Sequence, residues 1–130
     1  MRVAVDTNIL VRAVVQDDPE QGEAASRIVK AETLAVGMSC LCELAWVLRA
    51  AYDFRPPAIA AAIRELLAAG NVETNRPAVE AGLAMLEAGG DFADGVIAFE
   101  GRWLGGETFV SFDAKAVELL KVQGEAARLL

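Results

Sequence analysis

Four carboxylates stand where the sequence gives them no obvious partner. Asp6 is the only charge between Arg2 and Arg12, at the end of a Val-rich run. Glu43 is the only charge between Glu32 and Arg49, within Leu-Cys-Glu-Leu-Ala-Trp-Val-Leu. Asp113 is the only charge between Glu107 and Lys115 and follows Phe-Val-Ser-Phe, while Asp94 lies between Phe92-Ala93 and Gly95-Val96-Ile97-Ala98. An ionised carboxylate in apolar surroundings must find a partner or take up a proton. Lys and Arg are scarce beside all four, so a shared divalent cation is the simplest common partner. Oxygen-only ligation suits the hard ions Mg²⁺ or Mn²⁺ rather than zinc. Such an ion lowers the pKa of a water, orients it and offsets charge building on a phosphate. The chain contains no His, which removes the Ser-His and Cys-His nucleophile–base pairs. Metal-assisted hydrolysis needs neither.

Each acid also has a plainer reading. Asp6 and Asp113 can cap the helices that follow them. Asp91 and Asp94 can be first-turn acids favoured by a helix dipole. Glu43, in the middle of a helix, has no capping work to do. All four landing on one rim by accident is less expected than any single coincidence, and the four are therefore read as one metal site.

The elements that must carry these residues alternate between strand and helix, which predicts a parallel sheet. Residues 2–6 read as a strand and 8–15 as a helix with Thr7 or Asn8 near its N-cap. Asp18-Pro19-Glu20-Gln21 opens a helix that runs to about Ala31, since Asp suits the N-cap and Pro the first turn. Residues 34–38 read as a buried strand, and Ser39 as the cap of a helix over 40–52. Pro56-Pro57 opens a helix that Gly70 closes, and 71–74 is a brief strand. A helix from Pro77 ends at Gly89-Gly90, and another from about Asp91 stops at Gly105-Gly106. Residues 108–112 form a β-run, 114–121 a helix, and the tail 126–130 an edge strand or a frayed end. The product is an α/β fold, a three-layer α/β/α sandwich around a central parallel sheet, in one domain over residues 1–130. Ligands of an open parallel sheet gather outside the carboxyl ends of its strands. Asp6 and Asp113 fall there, Glu43 leans back toward that rim from its helix, and Asp94 lies in a first turn.

Bulk properties agree with a globule and leave one puzzle. At 130 residues and 55% hydrophobic content, the chain can build a real core. No apolar run is long enough to span a membrane. An acid at position 6 precedes any signal-peptide core, so a cytoplasmic location is expected. Cys40 and Cys42 are two apart, too close along one helix for a disulfide, and read as small core residues. The formal charge of −7 is unusual for a protein that meets a polyanion. Either a metal supplies positive charge locally or basic residues gather at one cleft.

The chain resembles the PIN-domain ribonucleases, in particular the VapC toxins of bacterial toxin–antitoxin pairs. The likeness rests on Asp6-Thr7-Asn8 after a hydrophobic strand, on Ser39-x-x-x-Glu43-Leu-Ala-Trp-Val-Leu, on Asp91-Phe92-Ala93-Asp94-Gly95-Val96-Ile97-Ala98, and on Val110-Ser111-Phe112-Asp113-x-Lys115. Each motif alone is weak, but the ordered set is specific and covers nearly the whole chain. The resemblance implies a metal-dependent endoribonuclease with Asp6, Glu43, Asp94 and Asp113 as catalytic metal ligands for Mg²⁺ or Mn²⁺. It implies supporting roles for Thr7, Asn8, Ser39 and Ser111, a homodimer, an RNA substrate and a cognate antitoxin that blocks the site. Asp91 is either a further ligand or a helix-start residue. Arg12 and Lys115 either reach substrate phosphate or are ordinary surface cations. Trp46 and Trp103 fall on apolar helix stripes and read as core or dimer-interface residues rather than base-stacking platforms. The helix over 56–69, rich in Ala and Leu, is read as a clip for the antitoxin.

Two other function classes compete. A phosphoryl-transfer domain, phosphatase-like or receiver-like, also places acids after its first strand. The phosphatase pattern needs a second Asp where this chain has Asn8, and the receiver pattern needs an acidic pair that is missing. A non-catalytic module acting through a protein partner has no reason to keep four uncompensated acids.

Overall fold

The computed structural model describes residues 1–69 and 71–130, which form two compact units, 1–75 and 76–130. Gly70, the expected close of its helix, lies outside the described residues.

The first unit carries a three-stranded parallel sheet in the order β1 (Arg2–Ala4), β2 (Thr33–Ala35), β3 (Asn71–Glu73). Its rows are Arg2, Thr33 and Asn71, then Val3, Leu34 and Val72, then Ala4, Ala35 and Glu73. Leu34, in the middle of the central strand, is wholly buried. Between β1 and β2 run α1 (Thr7–Val15) and α2 (Pro19–Ala31). Between β2 and β3 run α3 (Met38–Ala50) and α4 (Pro56–Ala69). Because the strands are parallel, α1 and α3 both start from the same edge of the sheet, beyond the carboxyl ends of β1 and β2.

The strands are shorter than the sequence suggests, β1 ending at Ala4 and not at Asp6, and two helix starts differ for local reasons. Asp6 itself caps α1, its side chain accepting from the Ile9 N–H, so Thr7 is already helical. The apolar run 34–38 is not one strand. It leaves β2 after Ala35, and Gly37 takes the extended N-cap position of α3 without any side-chain cap bond. Met38, buried like Leu34 and Val36, is already helical. A continuous buried run says what is inside and not which element holds it. Ser39 is therefore inside the first turn of α3 and is not its cap.

The second unit comprises α5 (Arg76–Glu87), α6 (Phe92–Trp103), β4 (Phe109–Ser111), α7 (Ala114–Val122) and β5 (Ala127–Leu129). The tail is a real strand: β5 pairs with β4 in parallel, Phe109 with Ala127, Val110 with Arg128 and Ser111 with Leu129. Its core joins Met85 of α5, Ala98 of α6, and Ala116 and Leu120 of α7, with Phe109 of β4 against them. Two glycines set how closely α5 and α6 approach. A Cβ on Gly82 would stand 2.5 Å from the ring of Phe92, and one on Gly95 would stand 2.3 Å from the Ala81 carbonyl oxygen. Gly95 thus lets the first turn of α6, with Asp94 on it, lie directly on α5.

Candidate active site

In the first unit the site begins where β1 ends. Asp6 is exposed, and one of its oxygens accepts from the Ile9 N–H at 3.2 Å, which leaves the other for a ligand. The next residue, Thr7, does not bond to Asp6. Its hydroxyl donates to the Cys40 sulfur at 3.7 Å, and the Cys40 thiol donates to the Val5 carbonyl at 3.8 Å. Cys40 is in the first turn of α3, and Glu43 is the next turn along the same helix. Burial pushes the Cys40 thiol up, the Thr7 hydrogen bond pulls against it, and the negative charges of Glu43 and Asp6 push it up further. Asp6 and Glu43 therefore both act electrostatically on one half-buried thiol. Sequence reasoning treated Cys40 as packing alone; nothing in the sequence could show that residues 5, 7 and 40 meet.

Glu43 is not in an apolar wall. Leu41, Leu44, Ala45 and Leu48 form the buried side of α3, while Ser39, Glu43 and Trp46 are exposed. The apolar residues that surround Glu43 in sequence sit on the other face of the helix, as a period of 3.6 requires. Trp46 is 68% exposed and Trp103 77%, so neither is a core residue of this chain.

In the second unit, Asp94 feels the charges of two other acids, Asp91 and Asp113. Asp91 caps α6 by accepting from the Ala93 N–H at 3.3 Å. Asp113 caps α7 by accepting from the Ala116 N–H at 3.1 Å, and its own N–H donates to the Ser111 hydroxyl at 2.9 Å. The supporting role read for Ser111 thus has a visible form: it pins the backbone of Asp113. Asp94, half-buried in the first turn of α6, has its pKa raised by burial, then by the charge of Asp91, then by that of Asp113. Three like charges held together in this way favour a counter-cation. Asp6, Asp91 and Asp113 each use one carboxylate oxygen in a cap, which fixes the side chain's direction and leaves the second oxygen available.

A divalent cation fits the chemistry of these donors, all hard oxygens. Among the described residues, no three Cys, Asp or Glu side chains already stand close enough together to hold a metal ion by themselves. The remaining site residues are placed as follows. Asn8 is exposed in the first turn of α1, and Lys115 is exposed in the first turn of α7. Arg12 is engaged: its guanidinium donates to Asp17 at 2.8 Å, to Gln21 at 3.0 Å and to the Tyr52 hydroxyl at 3.4 Å, and Tyr52 donates to Asp17 at 3.1 Å. The Tyr52 hydrogen bond and the charge of Asp17 hold the Arg12 pKa above its ordinary value. The cluster ties α1, the start of α2 and the turn after α3 together. Neither Cys40 nor Cys42 is in a disulfide.

The family model described as PIN domain matches residues 3–121. That span includes every candidate acid and gives the α/β arrangement a PIN-like identity. PIN domains are generally nucleases. No curated protein matches the chain. Among the described residues, no helix is long and apolar enough to cross a membrane.

Proposed function

Because the chain belongs to the PIN domain family, we propose that it is a metal-dependent endoribonuclease in which Asp6, Glu43, Asp94 and Asp113 hold Mg²⁺ or Mn²⁺. The observation that carries this reading is the PIN domain match over residues 3–121, which spans all four acids; the mutual repulsion of Asp94 with Asp91 and Asp113 is what a bound cation would relieve. Asp91 serves first as the cap of α6 and adds negative potential to the same place. A bound cation supplies acidified, oriented water and offsets charge on the scissile phosphate. The protein's own part is to hold ligands. Helix caps aim Asp6 and Asp113, Ser111 fixes the backbone of Asp113, and α3 presents Glu43 on its exposed side. With RNA as the substrate, Lys115, exposed two residues after Asp113, serves to meet a neighbouring phosphate. Arg12, bound to Asp17 and Tyr52, acts in the frame of α1.

The same reading makes the protein the toxin of a toxin–antitoxin pair, acting in the cytoplasm as a homodimer and silenced by an antitoxin. The exposed aromatic and aliphatic side chains Trp103, Leu104 and Phe112 support an association surface in the second unit. The experiment is cleavage of total cellular RNA with end-mapping, in Mg²⁺ or Mn²⁺ and in chelator. Discrete cuts that vanish with chelator support the proposal; cuts indifferent to chelator, or none in either metal, refute it.

A further inference from the structure

We infer that Cys40 is a positioning residue whose side chain sets the spacing between Asp6 and Glu43. The inference rests on the reading that these two carboxylates share a cation. Its basis is local geometry. The residues immediately before and after Asp6 both bond to the one sulfur atom, Val5 through its carbonyl at 3.8 Å and Thr7 through its hydroxyl at 3.7 Å. Glu43 lies three residues after Cys40 on α3, so the helix carries any displacement of the thiol's backbone to the carboxylate. The cap bond from Asp6 to Ile9 fixes Asp6 within α1 only. The thiol adds a side-chain link from the β1–α1 junction to α3.

Bonds to sulfur are individually weak. Here one atom both accepts and donates, to two residues that bracket a ligand, which fixes the offset of the two segments more tightly than either bond alone. Metal ligands must be held to within about 0.5 Å, and partners outside the ligand shell that orient ligands change metal affinity by roughly 10–100-fold. The donation to Val5 requires the protonated thiol. Burial favours that form, the Thr7 bond opposes it, and the charges of Glu43 and Asp6 favour it again. Cys40 thus acts through its hydrogen bonds and touches no reacting atom.

The test is Mn²⁺ affinity of the full chain, measured as free Mn²⁺ by electron paramagnetic resonance. Cys40→Ala weakens binding about tenfold. Thr7→Val weakens it in the same direction, and the double variant binds no worse than the weaker single variant, because both remove one link. Cys40→Ser, which keeps a donor and an acceptor, restores most of the affinity. Leu48→Ala, which empties a wholly buried position on the same helix, lowers the melting temperature and leaves Mn²⁺ affinity within about twofold of the parent. If Cys40→Ala binds like the parent, or if Leu48→Ala loses as much affinity, the inference is overturned. If Asp6→Asn also binds like the parent, the shared-cation reading fails and takes the inference with it.

Discussion

Replacing Asp94 by Asn separates what this carboxylate costs the fold from what it does for a metal. With the cation removed, burial and the charges of Asp91 and Asp113 work against its ionised form. An acid whose folded-state pKa is raised binds more protons folded than unfolded, so stability falls as pH rises from its ordinary value through the raised one. Asn is neutral throughout and nearly isosteric, so above that window the variant is the more stable protein in chelator. Asp94 is half-buried, and water screens much of the repulsion, so the gain is about 0.5 kcal/mol, or about 2 °C in melting temperature for a chain of this size. By about pH 3, below the ordinary Asp pKa, the carboxyl is mostly protonated in both states, and the gap closes. Saturating metal reverses the order. At 100 times its dissociation constant, Mn²⁺ adds about 2.7 kcal/mol to a chain that binds it, about 10 °C here, and little to the variant. The assay is thermal denaturation followed by circular dichroism, in chelator from pH 3 to pH 8 and in Mn²⁺ at pH 7. A variant that melts lower than the parent in chelator at pH 7 would refute the electrostatic account. An equal gain from Mn²⁺ in both proteins would refute the assignment of Asp94 as a ligand.

Two further outcomes follow from the same structure. Asp113 has two roles that substitution can divide. Asp113→Ser keeps a cap for the Ala116 N–H and holds stability in chelator near the parent's, whereas Asp113→Ala costs about 1 kcal/mol. Both variants lose metal-dependent cleavage, and chemical denaturation set beside a cleavage assay reads the two effects separately. Gly95→Ala forces a methyl group to 2.3 Å from the Ala81 carbonyl oxygen. It should cost about 2 kcal/mol or more in urea unfolding and move Asp94 away from α5, so that Mn²⁺ affinity falls with stability.

Local signals in the sequence were legible because their physics is local. Asp18, Asp91 and Asp113 all stand where a helix start is expected, and each caps a helix through a bond to an N–H two or three residues ahead. The doubtful tail turned out to be a strand, since Ala127–Leu129 finds a partner in β4 that the tail's own composition does not advertise. What failed was inference from neighbours in the chain to neighbours in space. Glu43 looked embedded among apolar residues, yet the helical period turns those residues inward and Glu43 outward. Of the two readings for Trp46 and Trp103, core or dimer interface, their exposure removes the core. Ser39 looks like a cap because a Ser before an apolar run usually is one; buried Met38 draws the start of the helix two residues earlier, with Gly37 as its cap. Contacts between distant positions, Arg12 with Tyr52 and Thr7 with Cys40, carry no sequence pattern at all. These are the contacts that show which residues frame the candidate site and which stand in it.

The central proposal is that Asp6 and Asp94 both serve one metal-dependent cleavage step, and the kinetics of a double variant test it most directly. Cleavage of an end-labelled single-stranded RNA in Mn²⁺ is to be timed for the parent, Asp6→Asn, Asp94→Asn and the two combined. Groups that act as a unit are strongly non-additive. The account predicts a loss of at least about 100-fold in each single variant and no further loss on combining them. Losses that multiply in the double variant, or either single variant cutting at the parent's rate, would contradict it.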